Sequence, residues 1–119
     1  MRVDVAPVAK PRMTRRDKWA KRPSVVRYWA FCDALRAATK GREFGGALEL
    51  VFTVPMPKSW SQRKRAEHDG RPHTQRPDLD NYCKAVFDAL YEDDSGIHTL
   101  TAKKVWGEHG SIAIREIAK

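Results

Sequence analysis

The sequence predicts a small α/β domain of the α+β kind, with a mixed β-sheet packed against two main helices. Residues 47–54 alternate β-forming side chains with period two, residues 24–40 and 79–91 each carry an apolar stripe at helical spacing, and residues 99–117 return to β-formers. At 119 residues with no flexible linker, residues 1–119 are expected to form a single domain.

Val3 and Val5 lie on one side of a short alternating run before Pro7, which suggests a brief edge strand. From Lys10 to Arg27 eight basic residues accompany one acid, Asp17, and Pro11 and Pro23 prevent a continuous helix, so this stretch is expected to be a basic loop. A helix then spans about 24–40, with Val25, Trp29, Cys32 and Leu35 on one face and Gly41 as its stop.

Leu48, Leu50, Phe52 and Val54 mark a strand that Pro55 and Pro57 end. Residues 58–77 are again basic and polar, and a mobile loop is expected there, with a helical turn or two between Ser59 and Gly70. Asp78 occupies a natural N-cap position before a helix that runs to about Tyr91, with Leu79, Tyr82, Cys83, Val86, Phe87 and Leu90 on its inner stripe. The chain is expected to close as an antiparallel hairpin, Thr99–Trp106 and Ser111–Ile117 joined by Gly107–Gly110.

Charge is unevenly placed. Residues 1–77 hold 18 Lys and Arg against 7 Asp and Glu, whereas residues 78–119 hold 5 against 8, giving +11 and −3 of the net +8. A polyanion held by the first part and a cation held by the second would account for both, and nucleic acid is the expected polyanion. The candidate phosphate contacts are Lys10, Arg12, Arg15, Arg16, Lys18, Lys21 and Arg22 in the first basic stretch, and Arg63, Lys64, Arg65, Arg71 and Arg76 in the second. Trp60, beside Arg63–Arg65, is a candidate for entering a DNA branch and equally for packing on its own domain.

No apolar run approaches the roughly 20 residues of a membrane span, and Lys10, Arg12, Arg15 and Arg16 stand where a signal peptide needs its apolar stretch, so a cytoplasmic protein is expected. Cys32 and Cys83 are too far apart to read as a CxxC pair and are expected to be buried thiols. His68, His73, His98 and His109 lack zinc-ligand spacing, and no glycine-rich phosphate loop marks a nucleotide cofactor site.

With Leu79, Cys83, Phe87 and Leu90 inward, Asp80, Asn81, Lys84 and Asp88 fall on the outer side of the same helix. Asp78 adds a carboxylate at its mouth, and Asp93–Asp94 follow its end, so three or more carboxylates can gather. Such an oxygen-rich set suits a hard divalent cation, which activates water and neutralises phosphate charge, with Lys84 adding positive charge to the transition state. The same residues also read as a helix cap, a surface ion-pair ladder Asp80–Lys84–Asp88, and a turn at Asp93–Gly96.

The stretch Arg76–Leu90 (RPDLDNYCKAVFDAL), followed closely by Asp93–Asp94, resembles the signature of the RusA family of Holliday-junction resolvases, and a looser likeness covers the rest of the chain. The resemblance implies a homodimeric α/β endonuclease of phage or prophage type, acting in a bacterial host on four-way or other branched DNA by paired symmetric nicks. It implies Mg²⁺ held by aspartates, with Mn²⁺ able to substitute. By position, Asp78 and Asp80 match the first two metal-binding aspartates, Lys84 the catalytic lysine and Asp94 the third aspartate. The link from Leu90 to Asp93 is shorter than in the family pattern, and Gly96 stands where a glutamine often follows, which leaves Asp93 as the alternative third ligand. A noncatalytic branched-DNA-binding protein and a broader structure-selective nuclease are the competing functional readings.

Overall fold

The computed structural model describes residues 1–12, 22–40 and 42–117. In chain order its elements are β1 (Arg2–Val3), α1 (Pro23–Ala38), β2 (Ala47–Pro55), α2 (Gln62–His68), α3 (Leu79–Leu90), a 3₁₀ turn at Asp94–Gly96, β3 (Thr99–Gly107) and β4 (Ser111–Glu116). The strands form one mixed sheet, as the fold class predicted, in the order β1-β4-β2-β3. The predicted stop at Gly41 lies outside the described residues; α1 ends at Ala38, where the Thr39 hydroxyl donates to the Leu35 carbonyl at 2.8 Å.

The alternation of β2 explains its central place. Leu48, Leu50 and Phe52 are fully buried on one face, where Ile112 and Ile114 of β4 extend the apolar surface and α1 and α3 cover it. Phe52 stacks on Tyr82 of α3 with ring centroids 5.3 Å apart, which joins strand and helix at the middle of the core.

Three sequence expectations are corrected by the fold. The closing hairpin is absent: β3 pairs in parallel with β2 (Ala47↔Thr99 through Pro55↔Gly107), and β4 pairs with β2 in the antiparallel sense on its other side. The link from Gly107 to Ser111 has to span two strand spacings, about 9.5 Å. Four extended residues reach about 13 Å, so a segment short enough to look like a hairpin turn can step over the end of β2. Gly107 and Gly110 serve this close passage, since a Cβ on either would run into Thr53 or Ala6 respectively.

The second correction concerns α1. Its buried stripe is Val25, Tyr28, Phe31, Cys32 and Leu35, and Trp29 is 42% exposed. The stripe centres between Tyr28 and Cys32, and at 100° per residue this turns Trp29 roughly 100° away from the core. Cys32 and Cys83 are free and buried, as expected.

Asp88 also departs from its assigned outer position. Its Oδ2 accepts from the Tyr28 hydroxyl at 2.5 Å and lies 2.7 Å from Lys10 Nζ, while Arg36 donates to the backbone carbonyls of Asp88 and Ala89. The Lys10 amide additionally donates to the Asn81 carbonyl at 3.1 Å. One carboxylate therefore joins the N-terminal segment, α1 and α3.

Burial alone would raise the Asp88 carboxyl pKa, but the Lys10 and Tyr28 hydrogen bonds and the charges of Lys10 and Arg36 outweigh it and hold the group below the usual carboxylate range. A depressed folded-state pKa adds stability above the unfolded value, near 4, that is lost as pH falls through the folded value. Urea unfolding should therefore show a constant gap between wild type and Asp88→Asn from about pH 5 to 8 that narrows below about pH 4. In the core, Leu50→Ala is expected to cost about 2–5 kcal/mol in the same assay, and Trp29→Ala less than about 0.5 kcal/mol.

Candidate functional site

The site is built where α3 begins. Asp78 is extended, its carbonyl accepts the Asn81 and Tyr82 amides at 3.1 and 3.4 Å, and its side chain makes no capping hydrogen bond. The helix thus starts on the Asp78 backbone and leaves the carboxylate exposed and uncommitted. Leu79, Cys83 and Phe87 turn toward β3, which directs Asp80 and Lys84 outward; their ion pair is 3.6 Å long, with both side chains more than half exposed. The expected ladder stops at this pair, because Asp88 is engaged by Lys10 and Tyr28.

Asp80 and Lys84 rim an apolar groove of about 540 Å³ whose floor is Leu79, Cys83 and Phe87 of α3 with Leu100 and Ala102 of β3. Burial, with the nearby Asp80 charge, pushes the Cys83 thiol up to about 11, so the free thiol stays protonated at neutral pH.

The two aspartates after α3 differ. Asp93 Oδ1 accepts the Ser95 amide at 2.9 Å, and this bond holds its carboxyl below the usual range. The Asp94 side chain is exposed and has no hydrogen-bond or ion-pair partner among the described residues. The loop that carries both is tied to the start of β2, with the His98 and Thr99 amides donating to the Gly46 carbonyl at 2.8 and 3.2 Å. A Cβ at Gly46 would overlap the Gly96 carbonyl, so that approach requires glycine.

Asp78 and Asp80 stand at the first turn of α3 and Asp94 beyond its last, about 18 Å of helix apart. Accordingly, among the described residues no group of three or more His, Cys, Asp or Glu side chains converges as a metal site. Asp78 and Asp80 are nevertheless the right kind of donor set for Mg²⁺, which commonly takes one or two carboxylates and keeps waters that a substrate phosphate can replace.

In residues 58–77 the expected helical turn or two is α2, and the rest of the stretch forms an arm. Ser61 caps α2, its Oγ accepting the Lys64 amide at 3.2 Å, and the following residues lie along β3 through a Pro72↔Val105 bridge and hydrogen bonds between residues 70–73 and 104–106. Trp60 packs against Trp106 and His68, both with centroids 4.8 Å away, and Lys64 Nζ lies 4.4 Å above its ring. Trp60 therefore packs on its own domain.

The basic candidates separate accordingly. Arg63, Lys64, Arg71 and Arg76 are exposed on this arm, Arg63 beside Glu67 at 3.4 Å. Arg65 is committed to Glu108 and the Pro57 carbonyl, and Lys10 to Asp88. Arg22 donates to the Arg12 carbonyl at 2.7 Å. Arg15, Arg16, Lys18 and Lys21 lie outside the described residues.

Sequence reasoning missed Lys104. Its ammonium donates to the Gln75 and Pro77 carbonyls at 2.5 and 2.6 Å, immediately before Asp78. The available signal was register, because Leu100, Ala102 and Lys104 share the helix-facing side of β3 and a lysine on such a face needs a partner. His73 was likewise missed as a structural group: it is buried against Trp106 at 4.3 Å, its Nδ1 has no partner among the described residues, and burial together with the Lys104 charge lowers its pKa.

A curated relative, the uncharacterized protein YqaN of Bacillus subtilis (strain 168), is 40% identical over 83 residues, covering 60% of this chain. The chain spans 58% of that relative's length. No solved structure is a significant match. The family model described as Endodeoxyribonuclease RusA matches residues 4–116, nearly the whole chain, and the chain belongs to that family.

Proposed function

We propose that this protein is a metal-dependent endodeoxyribonuclease that resolves four-way DNA junctions by paired symmetric nicks. The observation that carries this reading is the uncapped, exposed Asp78 carboxylate two residues before Asp80, which pairs with Lys84 one turn further along α3. A helix cap alone would engage the Asp78 side chain, and a surface ladder alone would not need it. Family membership supports phosphodiester hydrolysis on DNA.

In this reading Asp78 and Asp80 would hold Mg²⁺, or Mn²⁺ in its place, which when bound would supply a water of lowered pKa and positive charge against the phosphate. Lys84 lies beside Asp80 and adds positive charge where the pentacovalent transition state accumulates negative charge. Asp94 is the third carboxylate; Asp93 is the weaker candidate because Ser95 occupies its Oδ1. Arg63, Lys64, Arg71 and Arg76 take backbone phosphates along the arm leading to Asp78.

A homodimer suits a substrate with two equivalent strands to cut. It also suits the separation of Asp94 from Asp78. The outer edge of β3 is covered by residues 70–73 only near its C-terminal end, and Leu100 is 42% exposed. Two-fold pairing along the open half would run the second β3 antiparallel and bring the Asp94 end of one copy toward Asp78 and Asp80 of the other.

Asp80→Asn is expected to leave binding of a four-way junction unchanged in EDTA while lowering Mg²⁺-dependent cleavage by at least about 100-fold. Undiminished cleavage by that variant would remove the assignment. Replacing Arg63 and Lys64 together by Ala should reduce the slope of log affinity against log salt by about 1–2, with cleavage retained at low salt.

A further inference from the structure

We infer that Lys104 is the positioning residue of the Asp78–Asp80 pair: from the middle of β3 its ammonium holds the two carbonyls that precede Asp78 and so fixes where the first carboxylate stands. The inference rests on the cation-binding reading of that pair.

Residues 74–78 are all exposed and belong to no helix or strand, so packing does little to place them. The chain enters this segment at His73, whose amide donates to the Lys104 carbonyl at 3.0 Å, and leaves it at Asp78, whose carbonyl starts α3. Between those points, among the described residues, the only hydrogen bonds are the two from Lys104 Nζ, to Gln75 at 2.5 Å and Pro77 at 2.6 Å. A single strand residue thus grips the segment at three points.

Lys104 is itself firmly placed. It is half-buried and lies in register with Phe52, the fully buried centre of β2. Bonds from an ammonium to carbonyl oxygens are charge-assisted and about twice as strong as neutral ones. The geometry of the core is therefore passed through one side chain to the residue that begins the site. Outer groups that orient metal ligands typically contribute about 10–100-fold to metal affinity, which sets the expected size of the effect.

The test is NMR on the full chain, with Mn²⁺ as the probe. Lys104→Met keeps the apolar stem and removes the donors; Lys104→Gln is the alternative should the Met variant not fold; Lys104→Arg restores charge and donors. In metal-free protein the neutral variant is expected to lose backbone order at residues 74–78 while the rest of the amide spectrum is retained. The Mn²⁺ concentration that half-broadens the Asp78 and Asp80 amides should rise about 10-fold. Lys104→Arg should recover at least part of both effects.

Unchanged order at residues 74–78 would overturn the inference, as would a loosened segment that binds Mn²⁺ as tightly as wild type. If Mn²⁺ does not reach Asp78 and Asp80 in the wild-type protein, the cation reading itself falls. The metal-free comparison separates that failure from one confined to Lys104.

Discussion

The structure depends on the burial of one face of β2. Leu48, Leu50 and Phe52 are all fully buried, and the strand can hide them only by lying under both long helices with a partner on each edge. The parallel pairing with β3 then requires a long crossover, and the arm at 58–77 together with α3 forms it. The candidate site lies on this crossover. Its position relative to β3 follows from the same burial, because Leu79, Cys83 and Phe87 face β3 while Asp80 and Lys84 are turned outward.

Two kinds of ionic contact have separate tasks in this molecule. The Asp88 cluster is partly buried and brings together three segments distant in sequence, so its charges are spent on the fold. The Asp80–Lys84 pair is exposed, and a surface pair of this length adds at most about 1 kcal/mol. Weak mutual commitment is what the proposed exchange of this pair for a cation and a phosphate requires. The same distinction divides the basic residues: Lys10 and Arg65 hold carboxylates of distant segments, whereas Arg63, Lys64, Arg71 and Arg76 are exposed on the arm, Arg63 beside Glu67 of its own helix.

Much of this was legible in the sequence where pattern and burial coincide. The β2 alternation and the α3 stripe translate directly into elements, and the Asp78-x-Asp80-x-x-x-Lys84 spacing places Asp80 and Lys84 on one helix face. Strand partners were not legible, since a four-residue step fits a hairpin and a passage over an intervening strand alike. Trp29 was misplaced because Val25, Trp29, Cys32 and Leu35 also recur at helical spacing, whereas the buried stripe runs through Tyr28 and Phe31. The docking of the arm was hidden by its polar composition: it is held by backbone bonds to β3, by Trp60 stacking and by Lys104, and none of these leaves a periodic apolar pattern.

The central claim is that the carboxylates at the mouth of α3 make this chain a cation-dependent nuclease of branched DNA. Its most direct test is a time course on an immobile four-way junction and on linear duplex of matched sequence, each with EDTA and with a Mg²⁺ titration. The account predicts paired, symmetry-related nicks in the junction alone, dependent on Mg²⁺, with binding but no cutting in EDTA. A junction that is bound but left uncut at every Mg²⁺ concentration, or cut equally well in EDTA, would contradict it.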